Sequence, residues 1–173
     1  VMKAYTTRVG EGPFPTELND ATGQQLLEVG QEFGTTTGRA RRCGWFDAVI
    51  AKYSVQVNGL DGLAITKLDV FDGMPELKIC TAYRNLETGE ILNGFPSQLH
   101  ALKNVEPVYE SWPGWQGSIK DARSYEALPE EARNYLARIS ELIGCPLSIV
   151  SVGPERSQTI LLENPITAGK RTL

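Results

Sequence analysis

Apolar positions recur along this chain with two different periods. In LPEEARNYLARISELIG, Leu128, Ala132, Tyr135, Ile139 and Leu142/Ile143 fall on one helical stripe, so a helix is predicted there. Pro129 in its first turn, Glu130 and Glu131 behind it and Gly144 after it are start and stop signals. GWFDAVIAKYSVQV carries Trp45, Val49, Tyr53 and Val57 at a spacing of four. That predicts a second helix, running from Gly44 to a stop at Asn58-Gly59. GQQLLEVGQEF predicts a shorter helix or helical turn.

Elsewhere the period is two. ELKICTAYR sets Leu77, Ile79, Thr81 and Tyr83 against Lys78, Cys80 and Ala82, a strand pattern. NLETGEIL turns it back at Thr88-Gly89 as a hairpin. MKAYTTRV, GLAIT, EPVYESW, PLSIVSVG and SQTILLE are further strands, the second short and buried with a polar tip. GEGPFPTELND is loop, and so is GTTTGRARR, because Gly34, Gly38 and three threonines suit no helix interior. Strands alternating with helices predict an α/β fold with some antiparallel hairpin.

The length of 173 residues suits one domain. A net charge of −4 argues against a general nucleic-acid or membrane-surface binder. No apolar run approaches the ~18–20 residues of a membrane span. Cys43, Cys80 and Cys145 lie far apart without C-x-x-C spacing, which argues against a zinc site or disulfide framework and suits a reducing cytoplasm. The opening VMKAYTTRV reads as a strand entered mid-fold, so a piece of a longer protein is expected.

Three clusters carry candidate chemistry. The first is TTTGRARRCGW, Thr35 to Trp45. Arg39, Arg41 and Arg42 have no acidic neighbour inside the segment, and a guanidinium fork matches carboxylate or phosphate oxygens. Thr35, Thr36 and Thr37 add hydroxyls, Gly34 and Gly38 allow close backbone approach, and a helix starting at Gly44 would add its dipole. A solvated basic loop bridged to acidic surfaces is the other reading, and composition does not separate the two. The second cluster is TKLD, Thr66 to Asp69, at a strand end, where open α/β sheets bind ligands. An Asp there can accept two parallel hydrogen bonds from the N1–H and 2-amino group of guanine, with the Lys67 stem over the base; an ordinary strand-end turn is the alternative. The third is SVGPER, Ser151 to Arg156, which could close on a planar ring or be a plain β-turn.

Other residues read as structural. His100, the one histidine, stands in SQLHALK with no catalytic motif beside it and is expected at the surface or in a hairpin. Trp112 and Trp115 flank Pro113-Gly114 and are expected to pack a loop on the core, and Asp47 to cap a helix or pair.

Taken in order, KAYTTRVGEGPFPTEL, GQEFGTTTGRARRCGWFDAV, ITKLDV, KICTAYR, PVYESWPGW and SVGPER resemble the C-terminal portion of the adenylosuccinate synthetases, IMP–aspartate ligases, from Lys3 to about Pro165. The resemblance implies the C-terminal part of a P-loop-NTPase-like, mixed and mostly parallel sheet with flanking helices. It implies GTP, IMP and L-aspartate as substrates, with adenylosuccinate, GDP and phosphate as products. GTP phosphorylates the 6-oxygen of IMP, and the aspartate amine displaces the phosphate. Thr35, Thr36, Thr37, Gly38, Arg39, Ala40 and Arg41 would then be the aspartate loop. Arg39 would also reach the IMP ribose, with Val9 nearby, and Arg41 would also reach GTP. Lys67, Leu68 and Asp69 would bind guanine, completed by Ser151, Val152 and Gly153. The family's Mg²⁺, glycine-rich phosphate loop, catalytic Asp and catalytic His match nothing here. No residue of this chain is therefore assigned a catalytic or metal role, and the 173 residues alone are expected to be inactive. The resemblance also implies a cytoplasmic homodimer of the full-length chain, with no nucleic-acid or membrane partner. A stand-alone, non-catalytic nucleotide-binding module is the alternative from another class.

Overall fold

The computed structural model describes residues 1–92, 94–96, 98 and 100–164. The site-bearing sheet is built from β1 (Met2–Lys3), β5 (Leu63–Thr66), β9 (Leu147–Ser151) and β10 (Thr159–Leu161), in that order. β1 and β9 each pair parallel with β5, and β10 returns antiparallel on β9, so this sheet is mostly parallel. β2 (Thr6–Arg8) and β3 (Arg42–Gly44) make an antiparallel ribbon. A second sheet centres on β6 (Glu76–Asn85), parallel to β4 (Phe46–Asp47) and antiparallel to β7 (Ile91–Leu92) and β8 (Val105–Pro113). The hairpin expected at Thr88-Gly89 is the β6–β7 turn.

Among the described residues three α-helices join these strands: α1 (Ala21–Val29), α2 (Ala48–Asn58) and α3 (Glu130–Ile143). The predicted stripe of α3 is its inner face, where Ala132, Tyr135, Leu136, Ile139 and Ile143 are buried. It ends at Gly144, whose φ of +66° suits glycine and whose N–H donates back to Ser140 O at 3.0 Å.

α2 departs from the sequence expectation. It starts at Ala48 rather than Gly44, because Arg42–Gly44 pairs edge to edge with Thr6–Arg8 as β3. The buried Asp47 takes the N-cap, accepting from Val49 N at 3.1 Å and Ile50 N at 3.2 Å. The spacing of four also marked the wrong face. Tyr53 and Val57 are exposed, and Trp45 is buried ahead of the helix. The inner face is Ala48, Ala51 and Val55, whose small side chains let α2 lie close on β6 and α3.

The core closes around Phe71, whose ring meets Tyr5, Trp45, Trp115 and Tyr135 at centroid distances of 5.6–6.3 Å. The Tyr135 hydroxyl donates to Ala4 O at 2.8 Å, tying α3 to the end of β1. Trp115 packs its loop on the core as expected, while Trp112 is half-buried within β8. Cys43, Cys80 and Cys145 are free and buried. Among the described residues no helix is long and apolar enough to cross a membrane.

Candidate ligand-binding site

The two strand-end clusters are neighbours because their strands are. Ile65 pairs with Val150 in the parallel register, so the Lys67–Asp69 turn and Ser151–Gly153 leave the sheet side by side at its carboxyl edge. After β5 a 3-10 turn, Leu68–Phe71, buries Leu68, Val70 and Phe71 and leaves the Asp69 side chain 14% exposed. Asp72 fixes the turn from behind, accepting from Trp115 Nε1 at 2.9 Å and from Ile119 N at 3.2 Å.

Asp69 accepts no side-chain hydrogen bond among the described residues, and its nearest cation is Lys120 Nζ at 3.9 Å. Burial raises its pKa, and Lys120 only partly opposes that. Beside the bond from its own backbone N–H, such a carboxylate keeps acceptor capacity for a pair of donors. Ser151 Oγ donates to Gly153 O at 2.8 Å, and Gln158 fills the space behind Gly153 and reaches Lys120 O at 3.3 Å. The Lys120 loop thus touches both strand ends.

The basic loop is a narrow hairpin-like arm. Arg41 N donates to Glu32 O at 2.8 Å, Gly34 N to Arg39 O at 2.8 Å and Gly38 N to Gly34 O at 2.7 Å. Gly38 turns the tip at φ +63°. Thr35, Thr36, Thr37, Gly38, Arg39 and Ala40 are exposed there.

The three arginines have different surroundings. Arg39 has no side-chain partner among the described residues. Arg41 donates from Nη1 to Glu32 Oε2 at 2.8 Å and keeps 30% of its side chain exposed. Arg42 points away, forking onto Glu17 and donating to Gly10 O and Gly12 O. The segment does find acidic partners, Glu32 and Glu17, which fold in from outside it. The N-terminus of α2 is filled by Asp47 and lends the loop no free donors.

Glu32 was not singled out by any sequence signal, and it joins the two regions. Its side chain is fully buried. Oε2 accepts from Lys3 at 2.7 Å and Arg41 at 2.8 Å, while Oε1 accepts from Tyr5 at 2.5 Å and faces Lys67 Nζ at 3.3 Å. Burial alone would raise its pKa, but the bonds from Lys3, Tyr5 and Arg41 outweigh it and hold the value down at about 2. Burial and the neighbouring Glu32 push the Cys43 thiol up to about 11, so it stays protonated.

Two concavities, about 260 and 320 Å³, open beside β2 and share Thr6, Thr7, Asp47 and Ile50. Val9 lies exposed just past β2. His100 is exposed and distant in sequence from these groups.

The fold and this arrangement define an α/β protein with two polar turns side by side beyond the carboxyl ends of parallel strands, the place where open α/β sheets bind ligands, and a basic loop at one side. The chain belongs to the adenylosuccinate synthetase family: the family's sequence model, described as Adenylosuccinate synthetase, matches residues 1–160. The adenylosuccinate synthetase of Geotalea daltonii is 56% identical over 168 residues, covering 97% of this chain and 38% of that protein. That of Thermosynechococcus vestitus is 57% identical over 173 residues, covering 100% and 38%. The solved structure of fully ligated adenylosuccinate synthetase from Plasmodium falciparum superposes with a TM-score of 0.90 at 42% identity, covering 93% of this chain and 38% of that one. The chain therefore spans 38% of the length of these relatives.

Proposed function

We propose that this chain supplies the guanine-reading and aspartate-holding part of a ligase that joins IMP and L-aspartate at the expense of GTP. Adenylosuccinate, GDP and phosphate are the products, on the route to AMP. The observation that carries this reading is the adjacency of Lys67–Asp69 and Ser151–Gly153 on neighbouring parallel strands. Asp69 takes the N1–H and 2-amino donors of guanine, and Ser151, Val152 and Gly153 close the other side of the base. Arg41, held at the root of the loop, meets the aspartate and GTP, while Arg39 at the tip is free to meet the second aspartate carboxylate and the IMP ribose. Thr35, Thr36, Thr37, Gly38 and Ala40 form the rest of the closing loop. Val9 borders the IMP ribose.

Phosphoryl transfer rests on positioning and charge stabilisation. The residues above bind and orient; none is assigned to a proton transfer. Mg²⁺ would neutralise phosphate charge in the whole enzyme. Near the site Glu32 is already committed to its cations, and among the described residues no group of three or more His, Cys, Asp or Glu could hold a metal. No residue of this chain is assigned to it. Full-length homodimers in the cytoplasm complete the proposal. The alternative of a stand-alone module is disfavoured by identities of 54–57% to ligases over nearly the whole chain.

Nucleotide competition on the full-length protein carrying this sequence tests the guanine assignment. GDP should bind at least about tenfold tighter than ADP, the value of a lost charge-assisted pair. Equal affinities for the two would sink it.

A further inference from the structure

The partners of Glu32 come from separate parts of the chain: Lys3 from β1, Tyr5 just after it, Arg41 from the loop and Lys67 from the end of β5. A buried carboxylate stripped of one such donor keeps its desolvation cost, so each partner is held by the others. Lys3 and Tyr5 anchor the group from below. Lys3, Arg41 and Lys67 keep 24%, 30% and 36% of their side chains exposed; of these, Arg41 and Lys67 belong to the two proposed ligand-binding segments, the basic loop and the strand-end turn. Lys67 sits at φ +61°, a left-handed conformation that non-glycine residues rarely adopt. That backbone brings its ammonium to Glu32 and to Gly30 O at the end of α1.

We propose that Glu32 is a positioning residue that fixes Arg41 and Lys67 relative to one another, so that the loop-bound ligand and the strand-end nucleotide are held at a set separation. The inference rests on the proposed roles of Arg41 toward aspartate and GTP and of Lys67 toward guanine. It adds a shared anchor, which makes the two half-sites interdependent. Arg39 has no bond to Glu32, so its ligand contacts should not feel the change.

Steady-state kinetics on the full-length protein carrying this sequence test it. Glu32→Gln should raise the KM for aspartate and for GTP together, each roughly tenfold or more, with the KM for IMP moving by less than about twofold. Glu32→Asp, which keeps the charge, should recover part of both. A folded Glu32→Gln that melts earlier but leaves both values in place, or moves only one, overturns the proposal and leaves the functional reading standing. If Glu32→Gln does not fold, the Arg41→Met and Lys67→Met cycle decides. Their effects on kcat/KM should be strongly non-additive, and additivity overturns the anchor. A wild-type protein that makes no adenylosuccinate overturns the functional reading, and the anchor falls with it.

Discussion

Arg42 forks onto Glu17, with Nε–Oε1 at 2.6 Å and Nη2–Oε2 at 2.5 Å. The same guanidinium donates to Gly10 O and Gly12 O and lies 5.5 Å from the Phe14 ring centroid, closing the proline-rich loop onto β3. Arg42→Leu should therefore act on stability. Partial exposure of the pair moderates the loss to about 1–3 kcal/mol. Urea melts check this, and an unchanged midpoint with a raised KM for aspartate would contradict it.

Arg39 and Arg41 should respond in the opposite sense. Arg39 closes no ion pair among the described residues, Arg41 pairs only with the buried Glu32, and both stand on the arm that Gly38 turns. Arg39→Leu and Arg41→Leu in the full-length protein should raise the KM for aspartate or lower kcat, by roughly tenfold or more each; Arg39→Leu should leave melting nearly unchanged, while Arg41→Leu should also melt earlier because it strips a donor from the buried Glu32. Kinetics on the two variants beside Arg42→Leu settle the matter. Equal effects at all three positions would indicate a diffuse basic patch.

Asp69→Asn should weaken GTP use by roughly tenfold to a hundredfold, the cost of losing charge-assisted bonds. It should also narrow the preference for GTP over ITP, which lacks the 2-amino donor. The substitution keeps the shape of a side chain that is only partly exposed, so folding should survive. Unchanged kinetics with both nucleotides would remove Asp69 from the site.

Much of this was legible in the chain itself. The stripe from Leu128 to Ile143 and the start and stop residues around it describe α3 closely, because one buried face dominates the pattern. The alternation in ELKICTAYR gives β6, although Cys80, expected on the outer face, is fully buried and Thr81 is not, where the pairing with β8 shifts register between Cys80 and Ala82. α2 was misread because alanine carries little apolar signal. Ala48 and Ala51 make the buried face, while the larger Tyr53 and Val57 point outward. TKLD was placed correctly at a strand end, but its proximity to SVG depends on β5 pairing with β9 across more than eighty residues, which no local pattern encodes. Glu32 was invisible for a similar reason. Lys3 and Tyr5 lie 29 and 27 positions away, and a lone Glu between Gln31 and Phe33 looks like a surface residue until the fold buries it.

That burial gives an acid-limb prediction. Glu32 is held at about 2, below its ordinary 4.5, so its contribution to stability is complete above pH about 4.5 and is lost as pH falls toward 2. Across that window one group contributes a slope of at most about 1.4 kcal/mol per pH unit. The difference in unfolding free energy between wild type and Glu32→Gln should shrink steadily from pH 5 to pH 2 in chemical melts. A constant difference would show that the carboxylate is not held in its charged form by its neighbours.

Direct measurement of adenylosuccinate made from IMP, L-aspartate and GTP tests the central claim most squarely. Run side by side, the full-length protein carrying this sequence should form product only with all three substrates present, and the 173 residues alone should form none. Turnover by the 173 residues alone would contradict the account, and so would a full-length protein that fails with GTP.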